Sequence, residues 1–150
     1  MGEQKMNSTI RLMKQSDKAC VMKMMEVFYA SPAVHTNGSA EIFSNDIDAC
    51  TGDNPYAEGY VIENGEEIIG YGMLAKSYST EFGKPCIWIE DIYLKEAYRG
   101  QEIGKQFFDF ITSKHTDCIF RLEVEEENTR AIRLYEKCGF EVLPYMEMKR

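Results

Sequence analysis

Apolar residues alternate with polar ones from Ser8 to Met13, with Ile10 and Leu12 on one side of an extended chain, which predicts a short strand. Ser16-Asp17 then offers an N-cap, and Met22, Met24, Met25 and Phe28 recur at helical spacing, predicting a helix to about Ala30 that ends at Ser31-Pro32. Methionine stripes also line binding surfaces, but core packing is the simpler reading of this one. A second helix is expected from Ser39 to Cys50. Tyr56–Asn64 and Glu67–Tyr78 read as two strands around an Asn64-Gly65 turn, and Pro85–Leu94 as a third long β segment. Ile103, Phe107, Phe110 and Ile111 give Ile103–Lys114 a helical period. Cys118–Val124 reads as another strand, Asn128–Cys138 as another helix closed by Gly139, and Phe140–Met148 as a final strand. Hairpin, strand, helix, strand, helix, strand is the order of a mixed α/β domain.

The 150 residues carry no internal repeat, low-complexity tract or Pro/Gly/Ser linker, so one domain over 1–150 is the simplest organisation. Met1–Met6 is polar and reads as a short unstructured lead. The net charge of −8 argues against a nucleic-acid partner, which calls for a basic face, and is compatible with a cationic substrate. Acidity that only keeps the protein soluble is an equally good reading, because net charge does not locate charge. Five dispersed cysteines, with no CxxC pair, read as reduced thiols rather than a disulfide framework or zinc site. His35 and His115 stand alone, and no metal is expected. Asn7-Ser8-Thr9 and Asn37-Gly38-Ser39 match glycosylation sequons, triplets that also arise by chance. The chain opens on no signal peptide and contains no membrane-length apolar run, so a cytoplasmic location is expected.

The chemistry concentrates after Pro85–Leu94. A strand through Glu90-Asp91-Ile92-Tyr93-Leu94 runs into a loop, Arg99-Gly100-Gln101-Glu102, and then into the N-terminus of a helix at Ile103-Gly104-Lys105. Unpaired amides at such a terminus hold phosphate oxygens, Gly100 permits close approach, and Arg99 and Lys105 add positive charge. Glycines that merely make a tight turn are the alternative. No GxxxxGK[ST] supports a P-loop. Gly70-Tyr71-Gly72-Met73-Leu74-Ala75 fits a loose dinucleotide spelling but lies inside a strand and opens no helix, so its glycines are expected to allow close packing.

Arg99-Gly100-Gln101-Glu102-Ile103-Gly104 resembles the acetyl-CoA loop [QR]-x-x-G-x-[GA] of the GNAT superfamily of N-acetyltransferases. Asn128-Thr129-Arg130-Ala131-Ile132-Arg133-Leu134-Tyr135-Glu136-Lys137-Cys138-Gly139-Phe140 matches that family's second signature, N-x-x-A-x-x-L-Y-x-K-x-G-F, without a gap. The resemblance implies a central, mostly antiparallel sheet flanked by helices. It implies acetyl-CoA contacts at Ile92, Tyr93 and Leu94 on the strand, at Arg99, Gly100, Gln101, Glu102, Ile103, Gly104 and Lys105 in the loop and helix start, and at Asn128. One position departs: the family's glycine is Glu102, a residue whose charge suits a helix N-terminus and which is expected to fit there sterically. Read without the family, Asn128 is equally a helix N-cap and Tyr135 a core residue.

Amine acetylation needs a base to deprotonate an alkylammonium whose pKa lies near about 10, a donor for the carbonyl oxygen, and an acid for the departing thiolate. The resemblance implies Tyr135 as that acid and a strand N–H near Ile92 as that donor. An acidic residue at the place of Glu90 resembles the base of polyamine-type members; Asp91 is the adjacent alternative, and a solvent-facing glutamate the structural one. The expectation is direct transfer from acetyl-CoA to a small amine such as a polyamine or diamine. A protein or peptide amine is the alternative acceptor, and a non-catalytic acyl-CoA-binding module the alternative function. The resemblance also admits a homodimer.

Overall fold

The computed structural model describes residues 8–34, 36 and 38–150. The lead at 1–6, His35 and both sequon asparagines, Asn7 and Asn37, lie outside the described residues. The elements are β1 (Ser8–Leu12), α1 (Lys18–Tyr29), α2 (Ala40–Thr51), β2 (Ala57–Asn64), β3 (Glu67–Ser79), β4 (Lys84–Leu94), α3 (Ile103–Lys114), β5 (Ile119–Leu122) and α4 (Thr129–Lys137). The strands form one sheet in the order β1-β2-β3-β4-β5, antiparallel except for the parallel β4–β5 pair that the α3 crossover requires.

Alternation along the strands sends side chains to two cores. Val61, Tyr71, Met73 and Tyr93 meet Val21, Met24, Met25, Phe43 and Ile47 of α1 and α2. Tyr60, Ile62, Leu74, Ile87 and Ile89 meet Ile103, Phe107, Phe108 and Ile111 of α3 on the opposite face. The methionines of α1 thus divide: Met24 and Met25 are buried, and Met22 packs partly against the same core. Gly72 is where α3 presses closest, since a Cβ there would sit 2.3 Å from the Phe107 ring. The strand glycines serve close packing, as their place inside β3 predicts.

The start of α1 differs from its expected cap. Asp17 makes no side-chain cap to that helix. Its carboxylate instead accepts from both Arg11 amino nitrogens, at 2.8 and 2.9 Å, and from the Lys14 amide. This fork pins α1 to β1 and holds the Asp17 carboxyl below its ordinary value. Ser39 does cap α2, accepting from the Ile42 amide at 3.2 Å.

The expected strand over Phe140–Met148 does not form: 139–150 contain no helix or strand. Gly139, at φ 91, turns the chain out of α4 and Phe140 is drawn into the α3–α4 core, edge-on to Phe108 at 5.4 Å. Pro144 then interrupts the alternation and lacks the N–H a ladder needs. Val142, Met146 and Met148, one parity of the would-be strand, are left exposed. The described cysteines are all free thiols, and no described helix is long and apolar enough to cross a membrane.

Candidate active site

The site begins where β4 outruns its neighbour. Pairing between β4 and β5 stops at Ile89 with Leu122, whereas β4 continues to Leu94 against β3. The β4 edge over 90–94 is therefore open on the β5 side, a place for an extended ligand to use strand hydrogen bonds. At the head of this stretch β4 bulges: Ile89 pairs with Leu74 and Asp91 with Met73, leaving Glu90 as the extra residue. The bulge reverses the alternation. Ile87 and Ile89 face α3, while Asp91 and Tyr93 face α1 and α2, and Glu90 is exposed.

The bulge separates the two carboxylates proposed as bases. Asp91 is 5% exposed, accepts from the Tyr29 hydroxyl at 2.9 Å and the Tyr71 hydroxyl at 2.8 Å, and burial pushes its carboxyl up to about 6 against those two bonds. Glu90 reaches solvent, yet the surrounding protein raises its carboxyl, helped by the charges of Glu147 and Asp46. Burial also raises Asp46 on α2. Beyond β5, partial burial and then the hydrogen bond and charge of Glu147, with Glu90 adding repulsion, lift Glu123 to about 7. Among the described residues no Lys, Arg or His pairs with Asp46, Glu90, Asp91, Glu123 or Glu147. Glu90 feels the charges of Glu147 and Asp46, Asp91 those of Asp46 and Glu90, and Glu123 those of Glu147 and Glu90. The described residues contain no His, Cys, Asp and Glu group able to hold a metal.

Past Leu94 a single turn at Glu96–Tyr98 leads into the loop. Gly100 stands at φ 78 and Glu102 at φ 63. The left-handed Glu102 overturns the expectation that glutamate fits here sterically: the backbone is the one glycine adopts without cost. Gln106 returns its amide to the Glu102 carbonyl at 3.0 Å, so the helical ladder begins there and the amides at its start have no intrahelical partner. The nearby cations are engaged. Arg99 Nε donates to the Leu94 carbonyl at 2.9 Å with its guanidinium over the Tyr93 ring, and Lys105 pairs with Asp109 at 2.9 Å. Gln101 reaches back toward the Ala97 carbonyl at 3.4 Å. Tyr93 and Ile103 bury their side chains in the two cores, which leaves their backbones as the groups open to a ligand. Gly104 admits Leu134 of α4, whose Cδ2 would lie 2.9 Å from a Cβ.

Asn128 caps α4 by accepting from the Ala131 amide at 3.3 Å. That commits its carbonyl to the helix and leaves its NH₂ to act elsewhere. Tyr135 is edge-on to Phe108 at 5.6 Å and packs on Phe140, and its hydroxyl has no hydrogen-bond partner among the described residues. Burial, with the Cys138 thiol, pushes its phenol up to about 12, so it stays protonated at neutral pH. Tyr135, expected as the acid, thus lies on α4, and Glu90, expected as the base, lies at the β4 bulge. The grouping of Tyr29, Tyr71, Asp46, Glu123 and Glu147 around Glu90 and Asp91 was not legible in the sequence, because no local motif contains them.

The acetyltransferase (GNAT) family model matches residues 22–140. The chain belongs to the GNAT acetyltransferase family. It is 36% identical over 99 residues to thialysine N-epsilon-acetyltransferase of Sus scrofa, a match covering 59% of this chain and 58% of that one. It is 26% identical over 82 residues to the spermine/spermidine N(1)-acetyltransferase of Bacillus subtilis, covering 50% and 53%. The chain spans just over half the length of these curated relatives. Among solved structures, a "possible acetyltransferase" from Clostridium difficile 630 shares the fold with a TM-score of 0.80 at 19% identity, covering 95% of this chain and 96% of that one. AAC(6')-Iy bound to the bisubstrate analogue CoA-S-monomethyl-acetylneamine has a TM-score of 0.79 at 14% identity, covering 96% and 97%.

Proposed function

We propose that this GNAT domain transfers an acetyl group from acetyl-CoA directly to a small amine of the diamine or polyamine type. What supports this acceptor is the group of carboxyls without a cationic partner, Asp46, Glu90, Asp91, Glu123 and Glu147, around the open end of β4. A second ammonium on the acceptor would lower their mutual repulsion. The relatives named for thialysine and for spermine and spermidine point the same way.

The residues fit acetyl-CoA. The β4 edge at Ile92–Leu94 offers backbone groups to an extended amide-bearing arm, and the helix start from Arg99 through Lys105 offers amides to phosphates. Asn128 supplies its side-chain NH₂. When bound, acetyl-CoA supplies the thioester acyl group. Glu90, exposed and raised, takes a proton from the acceptor ammonium directly or through water. Asp91, saturated by two tyrosine donors, is not placed to do so. A β4 amide near Ile92 donates to the carbonyl oxygen as charge develops there. Tyr135 donates its phenolic proton to the departing sulfur.

The substrate class is tested by comparing 1,5-diaminopentane with 1-aminopentane as acceptors. The dication is expected to show a kcat/KM about tenfold higher or more at low salt, roughly one favourable ion pair's worth. Equal values for the two amines would remove the diamine reading.

A further inference from the structure

Both cations that the sequence offers to the loop are occupied. Arg99 is tied to the Leu94 carbonyl and the Tyr93 ring. Lys105 is paired with Asp109 and feels the negative charge of Glu102. A third cation stands at the loop from the other side. The Arg130 guanidinium, on the first turn of α4, comes within 3.5 Å of where a Cβ on Gly100 would be. Arg130 is exposed, and no carboxylate pairs with it among the described residues. A cation in the first turn opposes the positive end of the helix dipole, so the helix itself gains nothing from it.

We propose that Arg130 is a further contact for the phosphates of acetyl-CoA, reaching over Gly100 from α4. The inference rests on the reading that this loop holds the cofactor, and it adds a residue that neither signature specifies. A planar guanidinium matches phosphate oxygens in a two-bond fork. It also offsets Glu102, the one carboxylate in the loop. Because α4 carries Tyr135 five residues further on, an Arg130–phosphate contact ties the cofactor to the helix that bears the acid.

Calorimetric titration with CoA and with 3′-dephospho-CoA, at low and high salt, tests this without turnover. Arg130→Met keeps the aliphatic stem and helix propensity, and its ligand-free melting temperature reports folding. CoA is expected to bind Arg130→Met about tenfold more weakly than the parent at low salt, with the gap closing as salt rises and Arg130→Lys recovering part of it. A loss equal for both ligands places Arg130 on the pyrophosphate, and a loss confined to CoA places it on the 3′-phosphate; either supports the proposal. If Arg130→Met melts early, Arg130→Gln carries the same comparison. Affinity equal to the parent's for both ligands at low salt overturns the proposal. A parent that binds neither ligand overturns the cofactor reading itself, a different result.

Discussion

The Tyr29 hydroxyl donates to Asp91 Oδ1 at 2.9 Å, so the last turn of α1 is bonded to β4 just after its bulge. Tyr71 on β3 donates to Oδ2 at 2.8 Å, and the buried carboxylate becomes the joint of three elements. This joint has a pH signature. Burial raises the Asp91 carboxyl from its ordinary 3.8 to about 6, so the folded protein holds a proton that the unfolded chain has released between those values. Stability therefore falls as pH rises from about 4 to about 6, by roughly 3 kcal/mol for a shift of about two units. Asp91→Asn removes this dependence. Its melting temperature is expected to gain on the parent's as pH rises through that window; a gap that widens in the parent's favour would contradict the assignment.

Tyr135 stacks through its ring, while its hydroxyl touches no protein partner among the described residues. Tyr135→Phe is thus expected to leave the melting temperature nearly unchanged. Loss of a general acid should lower kcat by about 10²–10⁴-fold. Unchanged turnover, with chemistry limiting, would remove Tyr135 from the mechanism.

Glu90, the proposed base, is exposed at the β4 bulge. Its carboxyl is raised by the protein around it and by Glu147 and Asp46. The acid limb of kcat/KM should therefore lie above an ordinary carboxylate's. Glu147→Gln should shift that limb to lower pH, and Glu90→Gln should replace it with one set by the amine itself, the rate recovering partly as pH rises and the free amine accumulates. A Glu147→Gln profile superimposable on the parent's would uncouple the two groups.

Glu102 holds a left-handed backbone at φ 63. Such a conformation costs a side-chain-bearing residue roughly 1–2 kcal/mol, which outweighs the added chain entropy of glycine. Glu102→Gly is expected to raise the melting temperature by about 2 °C and, by removing charge, to tighten CoA binding at low salt. Glu102→Gln separates the two effects: it should tighten binding without the stability gain. A lower melting temperature for Glu102→Gly would contradict the strain.

Helices α1–α3 were legible because each buries one periodic face, and β2–β4 because long apolar runs buried on both faces flank the Asn64-Gly65 turn that fixes the hairpin. Gly65, at φ 64, adopts the conformation that turn demands. The loop and α4 motifs were legible for the same local reason. The Asp91 joint was not, since its two tyrosines lie 62 and 20 residues away in sequence. The bulge at Glu90 leaves no mark in β4's composition, yet it decides which carboxylate is exposed. The final strand was misread because alternation over Phe140–Met148 says nothing of Pro144's missing donor or of the pull of the α3–α4 core on Phe140. The left-handed Glu102 was missed because only glycine announces that backbone.

Acetyl transfer to a diamine is read from amine-dependent release of free CoA thiol from acetyl-CoA, with spermidine, putrescine, lysine and a peptide bearing a free N-terminus as acceptors. The expected result is thiol release with the diamines and spermidine well above the peptide, together with the monoacetylated amine in the product. Binding of CoA with no amine-dependent thiol release would contradict catalysis and leave a module that only binds acyl-CoA.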